Sequence, residues 1–96
     1  MELVIFARFH AQLGREAEVE LALREQVARA RTEPGCVAIS AYRSSRNPRL
    51  FWIHARWIDE AAFDVHANLP DTDAFVAQLQ ALIDHPFDAT RALAIA

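Results

Sequence analysis

Residues 2–10 fall into two rows, with Leu3, Ile5, Ala7 and Phe9 on one side and Val4, Phe6, Arg8 and His10 on the other. A period of two is the signature of a strand, and here both rows carry large apolar groups. From Gly14 the period changes. Val19, Leu23, Val27 and Ala30 recur at intervals of three and four, which predicts a helix running to about Arg31. Ala17, Ala22 and Ala28 raise its propensity, while Glu16, Glu18 and Glu20 near its start and Arg24, Arg29 and Arg31 near its end complement the helix dipole. Glu33-Pro34-Gly35 ends it, because proline cannot continue a helix and glycine admits a positive φ. Residues 36–43 and 49–58 read as strands joined by the polar stretch 44–48, which makes a hairpin. Asp59 is placed to cap a short helix reaching about Asn68. Pro70 and Asp71 restart a helix whose stripe is Phe75, Leu79, Leu82 and Ile83, and Asp84-His85-Pro86 stops it. The tail, 87–96, is expected as a fourth strand.

The order β-α-β-β-α-α-β predicts one α+β domain over residues 1–96: a ferredoxin-like, four-stranded antiparallel sheet with its helices on one face. The uncovered face of such a sheet reads polar when it meets water. This one does not. Segment 49–58 places Phe51, Ile53, Ala55 and Trp57 on one side, and Leu50, Trp52, His54, Arg56 and Ile58 on the other. Segment 36–43 sets Val37, Ile39 and Ala41 opposite Ala38, Ser40 and Tyr42, and Val4 and Phe6 add to the second face. An apolar patch of that extent exceeds what soluble monomers usually present. The expectation is a homodimer that packs sheet on sheet about a two-fold axis, with Arg8, His10, His54 and Arg56 at the rim or paired across the interface.

Composition narrows the partners. Of the 96 residues, 53% are hydrophobic and 24% charged, which excludes a disordered chain. The formal charge of −3 carries no basic stripe, so a nucleic-acid partner is not expected. Cys36 stands alone, so no internal disulfide is available and a reducing, cytoplasmic setting is the default. No apolar run is long enough to span a membrane, and the first ten residues read as a strand rather than as a secretion signal.

Most familiar chemistries find no foothold. His10, His54, His66 and His85 lack the short spacing of a metal site, and Cys36 has no cysteine partner, so no metal is expected. Gly14 and Gly35 are the only glycines, which leaves no phosphate-cradling loop and no expected cofactor. Ser40, Ser44 and Ser45 sit in no nucleophile elbow. What remains is a pocket between helices and sheet. Trp57 closes the third strand and His66 follows nine residues on, sharing a helix face with Ala62 and Phe63. A half-buried imidazole beside an indole can take or give a proton near neutral pH, or can hydrogen-bond a carbonyl as part of a core. Tyr42, the single tyrosine, offers a hydroxyl either to an oxygenated ligand or to water at the sheet edge.

Three segments taken in order resemble the antibiotic biosynthesis monooxygenase family. Val4-Ile5-Phe6-Ala7-Arg8-Phe9 followed by Gly14-Arg15-Glu16 is similar to the family's opening strand and helix start. Glu33-Pro34-Gly35-Cys36 is similar to its glutamate-x-glycine turn, and Trp57 to His66 to its strand tryptophan followed by a helix ending in histidine. The resemblance implies a dimeric α/β barrel with a cavity between each sheet and its helices. It further implies oxidation of a small aromatic, quinol or polyphenol by O₂ without cofactor. Carried over, Trp57 and His66 are the catalytic candidates, with Tyr42, Phe63 and Phe9 as substrate-binding candidates. Three positions depart from the pattern. Ala55 stands where the family commonly has glutamate, and Leu69-Pro70-Asp71 where many members place a second histidine. Ala7 stands where the haem-degrading branch has asparagine, which argues against haem degradation. The alternative function is a non-catalytic or isomerase-like small-molecule-binding protein on the same fold.

Overall fold

The two-row pattern of the first segment is realised side chain by side chain: Leu3, Ile5, Ala7 and Phe9 are buried, while Phe6 and Arg8 are exposed. The computed structural model describes residues 1–96 in the order β1 (Leu3–His10), α1 (Glu16–Ala30), β2 (Cys36–Arg43), β3 (Leu50–Trp57), α2 (Glu60–Ala67), α3 (Pro70–Gln80) and β4 (Asp88–Ala92). The strands form one sheet in the order β2-β3-β1-β4, and every neighbouring pair is antiparallel. All three helices cover one face, which confirms the expected ferredoxin-like arrangement.

Register decides which residues become the floor under the helices. Leu3 lies opposite Trp57, Ile5 opposite Ala55, Ala7 opposite Ile53 and Phe9 opposite Phe51, and all eight are buried. On β2 only Ile39 joins them, although Val37 and Ala41 were expected on the same row. An irregularity between Cys36 and Ala38 turns Val37 outward, and Ala41 lies on an edge strand with nothing beyond it. The Arg31 guanidinium binds the Ile39 carbonyl at 3.0 Å, which blunts that edge.

The helices close the layer from above. α1 buries the predicted stripe of Val19, Leu23, Val27 and Ala30, with Ala22 and Gln26 beside it. It starts at Glu16 rather than Gly14, because Gly14 takes φ +83° to make the preceding turn. α2 lies between Asp59 and Asn68 as expected, with the Asp59 carboxylate accepting the Ala62 N–H at 2.8 Å. α3 opens with Pro70 and buries Thr72, Phe75 and Leu79, but it ends at Gln80. Leu82 and Ile83 are buried as predicted, yet from a turn: the Leu82 carbonyl accepts the Gln12 N–H, and Ile83 bridges to Ala11. The fourth strand is shorter than the expected 87–96. Its last pair is Ala92 with Val4, one residue from the start of β1, and Leu93 and Ile95 beyond it are exposed.

Gly35 sets how closely β2 approaches α2. Its φ is +84°, and a Cβ built on it would lie 2.6 Å from the Ala62 Cβ. Its carbonyl also accepts the Ile58 N–H at 2.9 Å. Gly14 has a similar φ of +83° but opens on empty space. Gly35→Ala is therefore expected to lose about 2–4 kcal/mol, from left-handed strain plus overpacking, and Gly14→Ala only about 1–2 kcal/mol from strain. Urea denaturation of both variants checks the difference, and equal losses would show that the approach to Ala62 carries no weight.

Candidate functional site

The helices do not fill the space above the floor. A cavity of about 270 Å³ remains between the sheet and the three helices. Its floor is Ile5, Ala7, Phe9, Ile39, Ile53, Ala55 and Trp57, and its roof includes Phe63, His66, Thr72, Phe75 and Val76. Phe9, Phe75 and Phe87 close one end with their rings 5.5–6.3 Å apart in edge-on pairs. Beside Phe63 stands Arg91 of β4, whose guanidinium carbon is 4.8 Å from the ring centroid. Its Nη1 donates to Glu60 at 2.8 Å and lies 2.8 Å from an Asp64 carboxylate oxygen, so β4 is tied to α2 beside the cavity.

Trp57 and His66 meet in this space. Their ring centroids are 4.6 Å apart with planes inclined by 33°, and Phe63 packs on both. His66 is 7% exposed, and its Nδ1 lies 2.7 Å from Glu33 Oε1. A carboxylate only accepts hydrogen bonds, so Nδ1 carries a proton, and in the neutral imidazole Nε2 is the nitrogen with the lone pair. The arrangement follows the orienting-carboxylate logic of catalytic histidines, in which the acid selects the tautomer and stabilises the imidazolium that forms. The other ring nitrogen, Nε2, has no partner within the protein and lies in a cavity lined mostly by apolar side chains.

Of the sequence candidates, Trp57, His66, Phe63 and Phe9 come together on this cavity. Tyr42 does not. It points to the helix-free face opposite Trp52, is 53% exposed, and borders a separate open groove of about 790 Å³ between α1 and β2. That groove is larger but is lined by Arg24, Arg31, Arg43 and Arg46 and open to solvent, so it excludes water from nothing. Two of the four polar residues expected at the outer rim find ion-pair partners within the chain. Arg56 forks onto Glu2 at 2.8 and 3.1 Å, and His10 meets Asp84 at 2.7 Å. The His10 contact, with Arg49 nearby, holds the Asp84 carboxyl below its usual pKa. Burial and the Glu33 carboxylate push the Cys36 thiol pKa up, which disfavours its thiolate.

Glu33 escapes a reading of spacing, because it belongs to a turn 33 residues before the histidine it orients. Gln26 and Thr72 escape it too, although each is buried and lines the cavity. The available signal is that Gln26 interrupts an otherwise apolar stripe on α1. No group of three or more His, Cys, Asp or Glu side chains comes together where it could hold a metal ion.

An antiparallel ferredoxin-like sheet with a cavity under its helices defines a class of small α+β proteins. Within that class, the sequence profile described as antibiotic biosynthesis monooxygenase matches residues 3–78, and the chain belongs to that family. Rv0793 from Mycobacterium tuberculosis superposes with a TM-score of 0.92 at 21% identity, over 100% of this chain and 97% of that one. PA3566 from Pseudomonas aeruginosa gives 0.89 at 26% identity, over 99% and 95% of the two chains. A mutant of SnoaB, described as a cofactor-independent oxygenase from Streptomyces nogalater, gives 0.88 at 23% identity over 99% and 94%. No curated protein sequence matches this one. No helix is long and apolar enough to cross a membrane.

If Glu33 orients His66, the two side chains are energetically coupled. Glu33→Ala leaves a buried Nδ1–H without its acceptor and is expected to cost about 1–3 kcal/mol. In a double-mutant cycle with His66→Phe, measured by chemical denaturation, most of that loss should vanish once the imidazole is gone. Additive losses would dissolve the dyad.

Proposed function

We propose that the protein is a cofactor-independent monooxygenase acting on a small aromatic, quinol or polyphenol with O₂, and that His66 is its base. The observation carrying this reading is a buried imidazole with Nδ1 tied to Glu33 and Nε2 left over, stacked on Trp57 in a cavity lined mostly by apolar groups. Family membership supports it, as does the likeness to a protein described as a cofactor-independent oxygenase. At about 270 Å³ the cavity lies at the low end of small-molecule sites, which suits one or two rings.

The chemistry begins with proton transfer. A phenolic O–H gives its proton to Nε2, Glu33 stabilises the resulting cation, and the imidazolium later returns that proton to the peroxide formed at the ring carbon. The substrate anion, held against the Trp57 and Phe63 rings away from bulk water, gives one electron to O₂. The radical pair then joins at a ring carbon to form a C–O bond. Cleavage of the O–O bond releases water and leaves a quinone, so a phenol C–H and one O₂ become a quinone carbonyl and one H₂O. The protein binds, removes the first proton and excludes water; Phe9 and Phe63 shape the ring site.

We further propose that a second copy of the chain covers the helix-free face of the sheet. Phe6 is 51% and Trp52 40% exposed there, with His54 tilted against Phe6 at 5.2 Å and Tyr42 at the edge of the same face. Packing two such faces together removes these rings from water. Sedimentation at micromolar protein should give about twice the chain mass of 10.8 kDa, and the single-chain mass would refute the dimer.

Oxygen-electrode assays with a panel of 1,4-dihydroxynaphthalenes and polyphenols test the activity. Uptake above the buffer rate is expected, with His66→Ala reducing it about 100-fold or more. No uptake above buffer across the panel would overturn the oxygenase. Tight binding without uptake would favour the small-molecule-binding alternative on the same fold.

A further inference from the structure

The cavity holds polar groups that the proton-transfer step does not use. Gln26 of α1 is 4% exposed and Thr72 of α3 is 9% exposed, and both line the same space as His66. The Gln26 side-chain oxygen accepts from Arg29 Nη2 at 2.8 Å. Arginine has only donors, so this contact fixes which way the amide is turned. The amide nitrogen is therefore the atom left over, with two N–H donors and no partner in the chain. The Thr72 hydroxyl is likewise without a partner. Neither atom is sealed within the protein; both open on the cavity, where a bound molecule or water is the partner within reach.

We propose that Gln26, assisted by Thr72, is the site for a second oxygen of the substrate, so that the molecule carries a carbonyl acceptor on the same ring system as the hydroxyl that meets His66. This rests on the reading of the cavity as the substrate site. His66 Nε2 accepts, the Gln26 amide donates and Thr72 does either, so the three helices together read one donor and one acceptor. The cavity volume of about 270 Å³ equals roughly nine waters at ~30 Å³ each, which confines both oxygens to one or two fused rings. The pairing also serves the chemistry. When the hydroxyl loses its proton, charge spreads through the conjugated ring to the carbonyl oxygen, where a preorganised amide donor stabilises it. Plain phenols and plain quinones each leave one side of this arrangement unpaired.

Isothermal titration calorimetry with three matched, redox-quiet probes tests the assignment: 6-hydroxy-1-tetralone, 5,6,7,8-tetrahydro-2-naphthol and 1-tetralone. The first carries hydroxyl and carbonyl, the second only the hydroxyl and the third only the carbonyl. The hydroxy-ketone should bind about tenfold tighter than either of the others, the size of one net buried hydrogen bond. Gln26→Leu should erase that advantage while leaving tetrahydronaphthol affinity within about twofold. Gln26→Glu keeps the shape and the Arg29 contact but replaces the donor with an acceptor, and should weaken the hydroxy-ketone further at an unchanged melting temperature. Equal native affinities, or a Gln26→Leu loss shared by all three probes, would overturn the proposal. Binding of none of them would overturn it together with the reading of the cavity. The expected preference without oxygen uptake in the electrode assay would sink the oxygenase alone and leave the second-oxygen site standing.

Discussion

The site depends on one close approach, that of the Glu33–Gly35 turn to α2. Only a residue without a side chain fits where Gly35 meets Ala62 and Ile58. That proximity lets the Glu33 carboxylate reach His66 at 2.7 Å. Without the carboxylate, an imidazole at 7% exposure between two aromatic rings would carry an unpaired N–H into an apolar layer. A backbone feature of the turn before β2 thus decides which ring nitrogen of a histidine on α2 meets a carboxylate. Fold and chemistry meet there.

The cavity departs from the usual rule that an interior is packed to the density of a crystal. Its floor is filled conventionally, with paired rows from β1 and β3 and the wide Trp57 indole at one end. The gap opens above them, where the helices contribute Gln26, His66 and Thr72, each buried and each with polar capacity to spare. An apolar residue at position 72 would remove a hydroxyl that has no partner in the chain, whereas at 26 or 66 it would strand Arg29 or Glu33. Stability alone gives no reason for the polar atoms left over around one void, whereas a ligand does. Arg91, held by Glu60 and Asp64 over the Phe63 ring, gives the cavity a charged border facing solvent.

Much of this was legible in the residues themselves. Strand alternation in 2–10 and 49–58 named the eight-residue floor correctly, and the three-and-four spacing of α1 named its buried stripe. Asp59 announced its helix by capping chemistry that needs no tertiary partner. Trp57 and His66 could be paired because only a strand end and two helical turns separate them. Local periodicity was a poorer guide at the ends of elements. The chain after Ala92 leaves the ladder one residue before β1 begins at Leu3, and Leu82 and Ile83 stay buried although the helix has already ended. Tyr42 shows the limit of composition: its chemistry suits a ligand, but the row it occupies faces away from the cavity.

The sequence by itself determined the order of the elements, the face that β1 and β3 turn inward and the pairing of an indole with an imidazole. These follow from periodicity and from interactions within a few residues. Only the tertiary structure decided that Glu33 orients His66, that Gln26 and Thr72 turn toward the same space, and that Arg91 closes its side. Each of those contacts joins segments far apart along the chain, so the geometry exists only once sheet register and helix packing have been set. Polar groups are the hardest to place in advance, because a lone glutamine or threonine in an apolar stripe looks like a tolerated exception until its unbonded atom is seen in a cavity.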